Sequence, residues 1–224
     1  MAKQSVTVDV VSDVVCPWCF IGQKRLDKAI ELLPDIDVHV RWRPFQLDPT
    51  IPAGGIDRKQ YMLSKFGSEE RLKEIHARVE QLGADEGIEF DFDAITVSPN
   101  TIDAHRVIRW SAAQGEAAQN TVARRLFQLY FEEGKNVGDH EVLIDAVRGA
   151  GLDAAPIEVL LATDADRTEI STEAATASQM GITGVPCFLL ESKYAVMGAQ
   201  DVATLADAIQ QVATAKANGD LGDA

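Results

Sequence analysis

Cysteine is scarce in this chain, with three residues in 224. A small, odd count excludes the disulfide framework that staples small secreted domains. Long apolar runs are also missing; none approaches the ~20 residues of a membrane span. The start, Met1-Ala2-Lys3-Gln4-Ser5-Val6, has no signal-type apolar core, so the sequence predicts a cytoplasmic protein. Positive charge is in short supply, with 21 Lys and Arg against 35 Asp and Glu, a net charge of −14. Such a surface repels phosphate backbones and anionic lipids, so neither nucleic acid nor a membrane is an expected partner. There is no internal repeat and no low-complexity segment. What remains is an ordinary globular composition, 46% hydrophobic and 25% charged, in a chain long enough to bury a large core. It allows one large domain, or a small one carrying an inserted partner.

Val6–Val11 alternates and is β-branched, which predicts a strand with a buried face. A helix is expected from Pro17 to Leu33, since proline suits the first helical position and Phe20, Leu26, Ala29, Ile30 and Leu33 make a packing stripe. A second strand follows over Ile36–Phe45, completing a βαβ unit with parallel strands. Pro49–Gly55 breaks the pattern, and a long helical region then runs to about Gly181. Within it, Ser68 and Asp139 are N-caps, Ile102–Ala113 and Thr121–Phe131 are amphipathic, and Pro156 and Thr163 mark further helix starts. Strands return at Cys187–Leu190 and Lys193–Met197, joined tightly through Glu191-Ser192. A last helix is expected over Asp201–Val212, with fraying from Lys216.

Cys16-Pro17-Trp18-Cys19 stands where the first strand ends and the first helix begins. Residues three apart on a helix share a face, with Cβ atoms roughly 5–6 Å apart, close to disulfide geometry. At a helix N-terminus, unpaired N–H groups and the dipole stabilise a thiolate, so Cys16 is expected to ionise below the free-thiol value of about 8.5. Cys16 is then the exposed attacking thiolate, and Cys19 the resolving thiol that releases substrate. The alternative, half of a zinc site, needs four ligands. No second C-x-x-C exists, and His39, His76, His105 and His140 stand alone, so no metal is expected.

Val10–Gly22, around that motif, resembles the DsbA-like thioredoxin family, and more narrowly its FrnE branch of cytoplasmic dithiol–disulfide isomerases. The similarity continues at Arg43–Leu47, Asn100-Thr101, Ala104–Arg106, Tyr130–Gly134, Gly138–Leu143, Gly184–Pro186 and Gly198–Gln200. It implies an α/β architecture: a thioredoxin fold with a large all-helical insertion. Residues 1–50 and 182–215 would form the thioredoxin-like part, 56–181 the insertion, and 216–224 a flexible tail. It also implies that Val185-Pro186 is a cis-proline loop facing the cysteines, along which an extended substrate adds as a strand. The implied activity is thiol–disulfide exchange on protein or small-thiol substrates by a monomer or homodimer. No cofactor is implied beyond the redox pair, with glutathione as a candidate substrate or donor. Kappa glutathione transferases and 2-hydroxychromene-2-carboxylate isomerases share the architecture and resemble the chain at Gly198–Asp201, but usually carry serine at the position of Cys16. A non-catalytic chaperone or metal-binding module is the third alternative.

Pro17 and Trp18 are expected at the substrate-binding rim, with Trp18 exposed or folded over it. Asp13 is a candidate for handling the Cys19 proton or for fixing its loop. His105 is a candidate base or a structural histidine, and Gln200 lies in a motif the family shares. Arg41 and Arg43 read as a solvated strand edge. Cys187, where the family commonly has a non-thiol, is expected to be buried beside the pair, reduced and dispensable, with regulatory and metal-ligand roles as alternatives. Pro-Trp places no cation between the cysteines, so the potential is expected at neither end of the range from about −270 to −120 mV.

Overall fold

A computed structural model describes residues 3–115 and 117–221. The chain opens with β1 (Gln4–Ser12), α1 (Pro17–Glu31) and β2 (Ile36–Pro44). β1 and β2 pair in parallel, from Gln4 against Ile36 to Ser12 against Pro44. Alternation sends Val6, Val8 and Val10 to one face, where they pack with Phe20, Ile21, Leu26 and Ala29 of α1. Asp9 and Val11 point to the other face.

The insertion follows: β3 (Ile56–Asp57), α2 (Arg58–Phe66), α3 (Glu69–Ala84), β4 (Val97–Ser98), α4 (Ile102–Ser111), α5 (Ala118–Phe131), α6 (His140–Gly149), α7 (Ala155–Leu161) and α8 (Arg167–Gln179). The chain then returns through β5 (Cys187–Leu190), β6 (Tyr194–Met197) and α9 (Val202–Asn218). The main sheet has the order β2-β1-β5-β6, with β5 antiparallel to β1 and β6 antiparallel to β5. β1 is thus central, and its C-terminal end delivers the Cys-Pro-Trp-Cys turn. This is a thioredoxin fold interrupted by helices.

Aromatic rings weld the insertion to α1. Phe20 of α1 stacks on Phe127 of α5 at 5.2 Å and meets Phe90 edge-on at 6.0 Å; Phe90 meets Phe131 edge-on at 5.3 Å. Each such pair contributes about 0.5–1.5 kcal/mol beyond burial.

Several elements differ from the sequence expectation. The β3–β4 ribbon has two residues per strand, too few to show alternation. α8 begins at Arg167 rather than near Thr163, because the segment before it is held by buried Arg106, which donates to the carbonyls of Leu160, Thr163 and Ala165. α9 runs to Asn218, past the expected end at Val212 and into the expected flexible tail. Lys216 ties it down by donating to the Ser5 carbonyl at 2.9 Å and to Glu191 at 2.8 Å. Residues 222–224 of that tail lie outside the described residues. The β5–β6 turn runs through Glu191 and Ser192, both with positive φ, as a tight hairpin turn of right-handed twist requires.

Candidate active site

Cys16 is the N-cap of α1 and Pro17 its first residue; the backbone N–H groups of Cys19 and Phe20 both point to the Cys16 carbonyl. All three cysteines are free thiols. The Cys16 side chain is 3% exposed, not open as expected, yet it lines a cavity. Its Sγ lies 3.6 Å from the Val185 carbonyl oxygen, a contact in which a neutral thiol donates. Cys19 is buried one turn inside the helix. Burial pushes its thiol well up, its neighbour Cys16 pushes it further, and the Ser12 hydroxyl and Asp13 backbone pull the other way. Two thiols one helical turn apart, the first at a cavity and the second beneath it, are an arrangement that can carry out thiol–disulfide exchange.

The Val185–Pro186 bond is cis. The Pro186 ring lies against α1 at Gly22, where an added Cβ would come within 2.8 Å of Pro186 Cγ. The Pro186 carbonyl accepts from the Gly198 N–H at 2.8 Å, which anchors the loop to the end of β6. Gln200 is exposed and sits in a local turn, its Nε2 donating to the Met197 carbonyl at 2.7 Å and its backbone N–H to the Gly198 carbonyl at 2.9 Å.

Asp13 is buried. One carboxylate oxygen accepts from the Leu47 N–H at 2.8 Å, fixing the loop after β2; the other, also buried, has no hydrogen-bond partner. His105 Nε2 lies 3.6 Å from that second oxygen and 2.9 Å from the Phe45 carbonyl. A carbonyl only accepts, so Nε2 carries the proton, and His105 is committed to the loop rather than to the cavity. Trp18 is half-buried over the core and lines the cavity, rather than standing exposed. Arg41 and Arg43 lie, as expected, on an edge strand with half-exposed side chains, and both also hold buried Asp9: Arg41 donates to both its carboxylate oxygens at 2.9 and 2.8 Å, and Arg43 to one at 2.8 Å.

Cys187 pairs with Val11 across β1–β5, and both join a small apolar cluster with Phe45 and Ile182. Its neighbour Phe188 joins the separate cluster that holds Cys16 and Cys19. Cys187 is therefore fully buried, but in its own cluster rather than against the pair. Burial pushes its thiol up. Among the described residues no group of three or more His, Cys, Asp or Glu side chains is placed to hold a metal ion.

The cavity beside Cys16 has a volume of about 330 Å³. Its walls come from both halves of the molecule: Asp13, Cys16, Pro17, Trp18 and Val185 from the thioredoxin part, and α2, α3, β4 and Tyr130 from the insertion. Sequence reasoning missed the insertion side, including Arg58, His76 and Ser98. Those three lie in no shared motif; of the insertion residues at the cavity, Thr101 and Tyr130 stood in segments that carried the family resemblance. Burial pushes the Tyr130 phenol up to about 12, so it is a neutral donor and acceptor at physiological pH.

Comparison with known proteins agrees with this geometry. The model of the DsbA-like thioredoxin domain matches residues 7–210. An uncharacterised Bacillus subtilis protein, YwbO, is 30% identical over 195 residues, covering 83% of this chain and 87% of its own. The structure of a probable DsbA oxidoreductase from Streptomyces coelicolor, SCO1869, superimposes with a TM-score of 0.82 at 28% identity, covering 92% of this chain and 89% of that one. The cytosolic disulfide reductase DsbM from Pseudomonas aeruginosa, solved with GSH, shares the fold at a TM-score of 0.61 and 16% identity, over 95% of this chain and 98% of its own. The chain belongs to the DsbA-like thioredoxin-domain family.

Proposed function

We propose that this protein is a thiol–disulfide oxidoreductase that exchanges disulfides through Cys16 and Cys19. The observation that carries this is the placement of the two free thiols one helical turn apart, with Cys16 at the helix start on a cavity and the cis-proline loop against it. In the reducing direction, Cys16 Sγ as thiolate attacks one sulfur of a substrate disulfide. The substrate S–S bond breaks, and the departing thiolate takes a proton from water. Cys19 gives up its proton, which ends on the departing second substrate sulfur, and attacks Cys16 Sγ. The mixed disulfide breaks, the second substrate thiol leaves, and the enzyme holds a Cys16–Cys19 disulfide. Two external thiols of the glutathione class return it to the dithiol: the first opens the Cys16–Cys19 bond to form a mixed disulfide, and the second attacks that bond and leaves with the first as their disulfide; the oxidising direction is the reverse.

Val185 and Pro186 form the platform for the substrate chain, with Pro17 and Trp18 at its rim. The Val185 carbonyl, already touched by the Cys16 thiol, lies where a strand-like substrate would pair. Three free thiols suit a reducing compartment such as the cytoplasm. The test is reduction of insulin by a dithiol reductant with and without the protein. Catalysis by the wild type and its loss in Cys16→Ser is expected; full activity in Cys16→Ser would overturn the proposal.

A further inference from the structure

Among the described residues two arginines are buried, and they differ in what neutralises them. Arg106, 0% exposed, is saturated: it donates to three backbone carbonyls and pairs with Asp103 at 2.7 Å. Arg58, 8% exposed at the start of α2, is not. Its Nη1 donates to the Tyr130 hydroxyl at 3.0 Å and its guanidinium lies 5.7 Å from that ring. Among the described residues no carboxylate pairs with it. A buried charge without a counter-charge is costly unless something supplies one. Arg58 lines the cavity that holds Cys16, so the natural source of that counter-charge is a ligand.

The rest of the cavity narrows the ligand. The Ser98 hydroxyl and His76 Nε2 line it, are buried, and have no hydrogen-bond partner. Both are unmet polar groups on the same wall as Arg58. Elsewhere the wall is apolar, with Ile51, Met62, Phe66, Ile75, Val79 and Phe92. Such walls disfavour a dianion and suit a single carboxylate, whose two oxygens match the guanidinium fork. The other charged groups facing the space are accounted for. Lys65 donates to the Tyr61 hydroxyl at 3.0 Å and Asp48 accepts from Thr50; Asp13 makes no ion pair with Arg58 among the described residues and repels an anion from its own neighbourhood. A volume of about 330 Å³ admits a small molecule but no folded chain.

We propose that this cavity is a recognition pocket for a small apolar molecule bearing one carboxylate, held by Arg58 with Tyr130, Ser98 and His76 around it. This rests on the exchange activity proposed above and names its substrate class: a disulfide, or the thiol it yields, whose non-sulfur part is an apolar acid. The acid half stays in the pocket while Cys16 Sγ bonds to its sulfur and the other half leaves as thiol, in the steps already given.

The test is calorimetric and independent of turnover. The probes are 3-phenylpropionate and its neutral amide, 3-phenylpropionamide, titrated into the reduced full-length protein. The acid is expected to bind at least about tenfold more tightly than the amide, since one charge-assisted contact is worth over 1.4 kcal/mol. Arg58→Gln should erase that preference. Tyr130→Phe, which keeps the ring and removes the hydroxyl that orients the guanidinium, should weaken the acid selectively and stands in if Arg58→Gln does not fold. Equal binding of acid and amide, no binding of the acid, or a preference that survives in both variants would overturn the proposal. Insulin reduction by the wild type is measured alongside: activity there with no acid preference removes the pocket and leaves exchange standing.

Discussion

At the scale of single residues, Gly22 shows how closely the site is fitted. It lies on α1 where the Pro186 ring approaches, and a methyl group there would meet Pro186 Cγ at 2.8 Å and Phe188 Cζ at 3.2 Å. Gly22→Ala should therefore push the loop from the helix. Overpacking of this kind costs about 1–3 kcal/mol, readable in a denaturant titration, and exchange should slow. Unchanged stability and rate would mean the loop is not held by this contact. Cys19 offers a second reading. Because burial and then Cys16 hold its proton, thiolate absorbance of the reduced Cys187→Ala protein should show a step well above the free-thiol range, absent when Cys19→Ser is added to that background. If the step persists in that variant, the high-titrating group is another. Cys187, in its own apolar cluster and with its thiol pushed up by burial, should be replaceable by alanine with turnover unchanged. Lost turnover would give it a role that its position does not suggest.

At the scale of elements, the insertion is held by a charged knot on α4. Burial alone would raise the Asp103 carboxyl, but hydrogen bonds from Arg106, His140 and Arg167 outweigh it and hold the group below the usual range. A depressed folded value means the contribution is complete above the unfolded value of about 3.9 and is lost as pH falls through the folded one. Asp103→Asn should cost about 1–3 kcal/mol near neutrality and flatten the acid limb of the stability curve. An unaltered acid limb would contradict this. Helix starts were legible where a side chain caps: the Ser68 hydroxyl accepts from the Arg71 N–H, and Asp139 from the Glu141 N–H. The start of α8 was not, because the signal at Thr163 is a loop hydroxyl and the helix begins only after the carbonyls that Arg106 gathers.

At the scale of the whole molecule, the two halves carried different amounts of information. The thioredoxin half announces itself because its chemistry is compressed into four residues at a strand–helix junction. The cavity does not, because Asp13, Arg58, His76, Ser98 and Tyr130 are far apart in sequence and meet only when the insertion folds over α1. Burial of Cys16 was hidden for a similar reason: the Val185 carbonyl 3.6 Å from its Sγ comes from far along the chain, and part of the surrounding wall comes from the insertion. The same assembly puts Cys16 at the cavity wall, with Cys19 and Cys187 enclosed. The most direct test is to expose reduced Cys19→Ser protein to a limiting amount of disulfide substrate and locate the trapped adduct by peptide mass spectrometry, with oxidised wild type beside it. The adduct should sit on Cys16, and the wild type should show Cys16 linked to Cys19 with Cys187 free. An adduct on Cys187, no adduct at all, or a wild-type disulfide that includes Cys187 would contradict exchange through the Cys16–Cys19 pair.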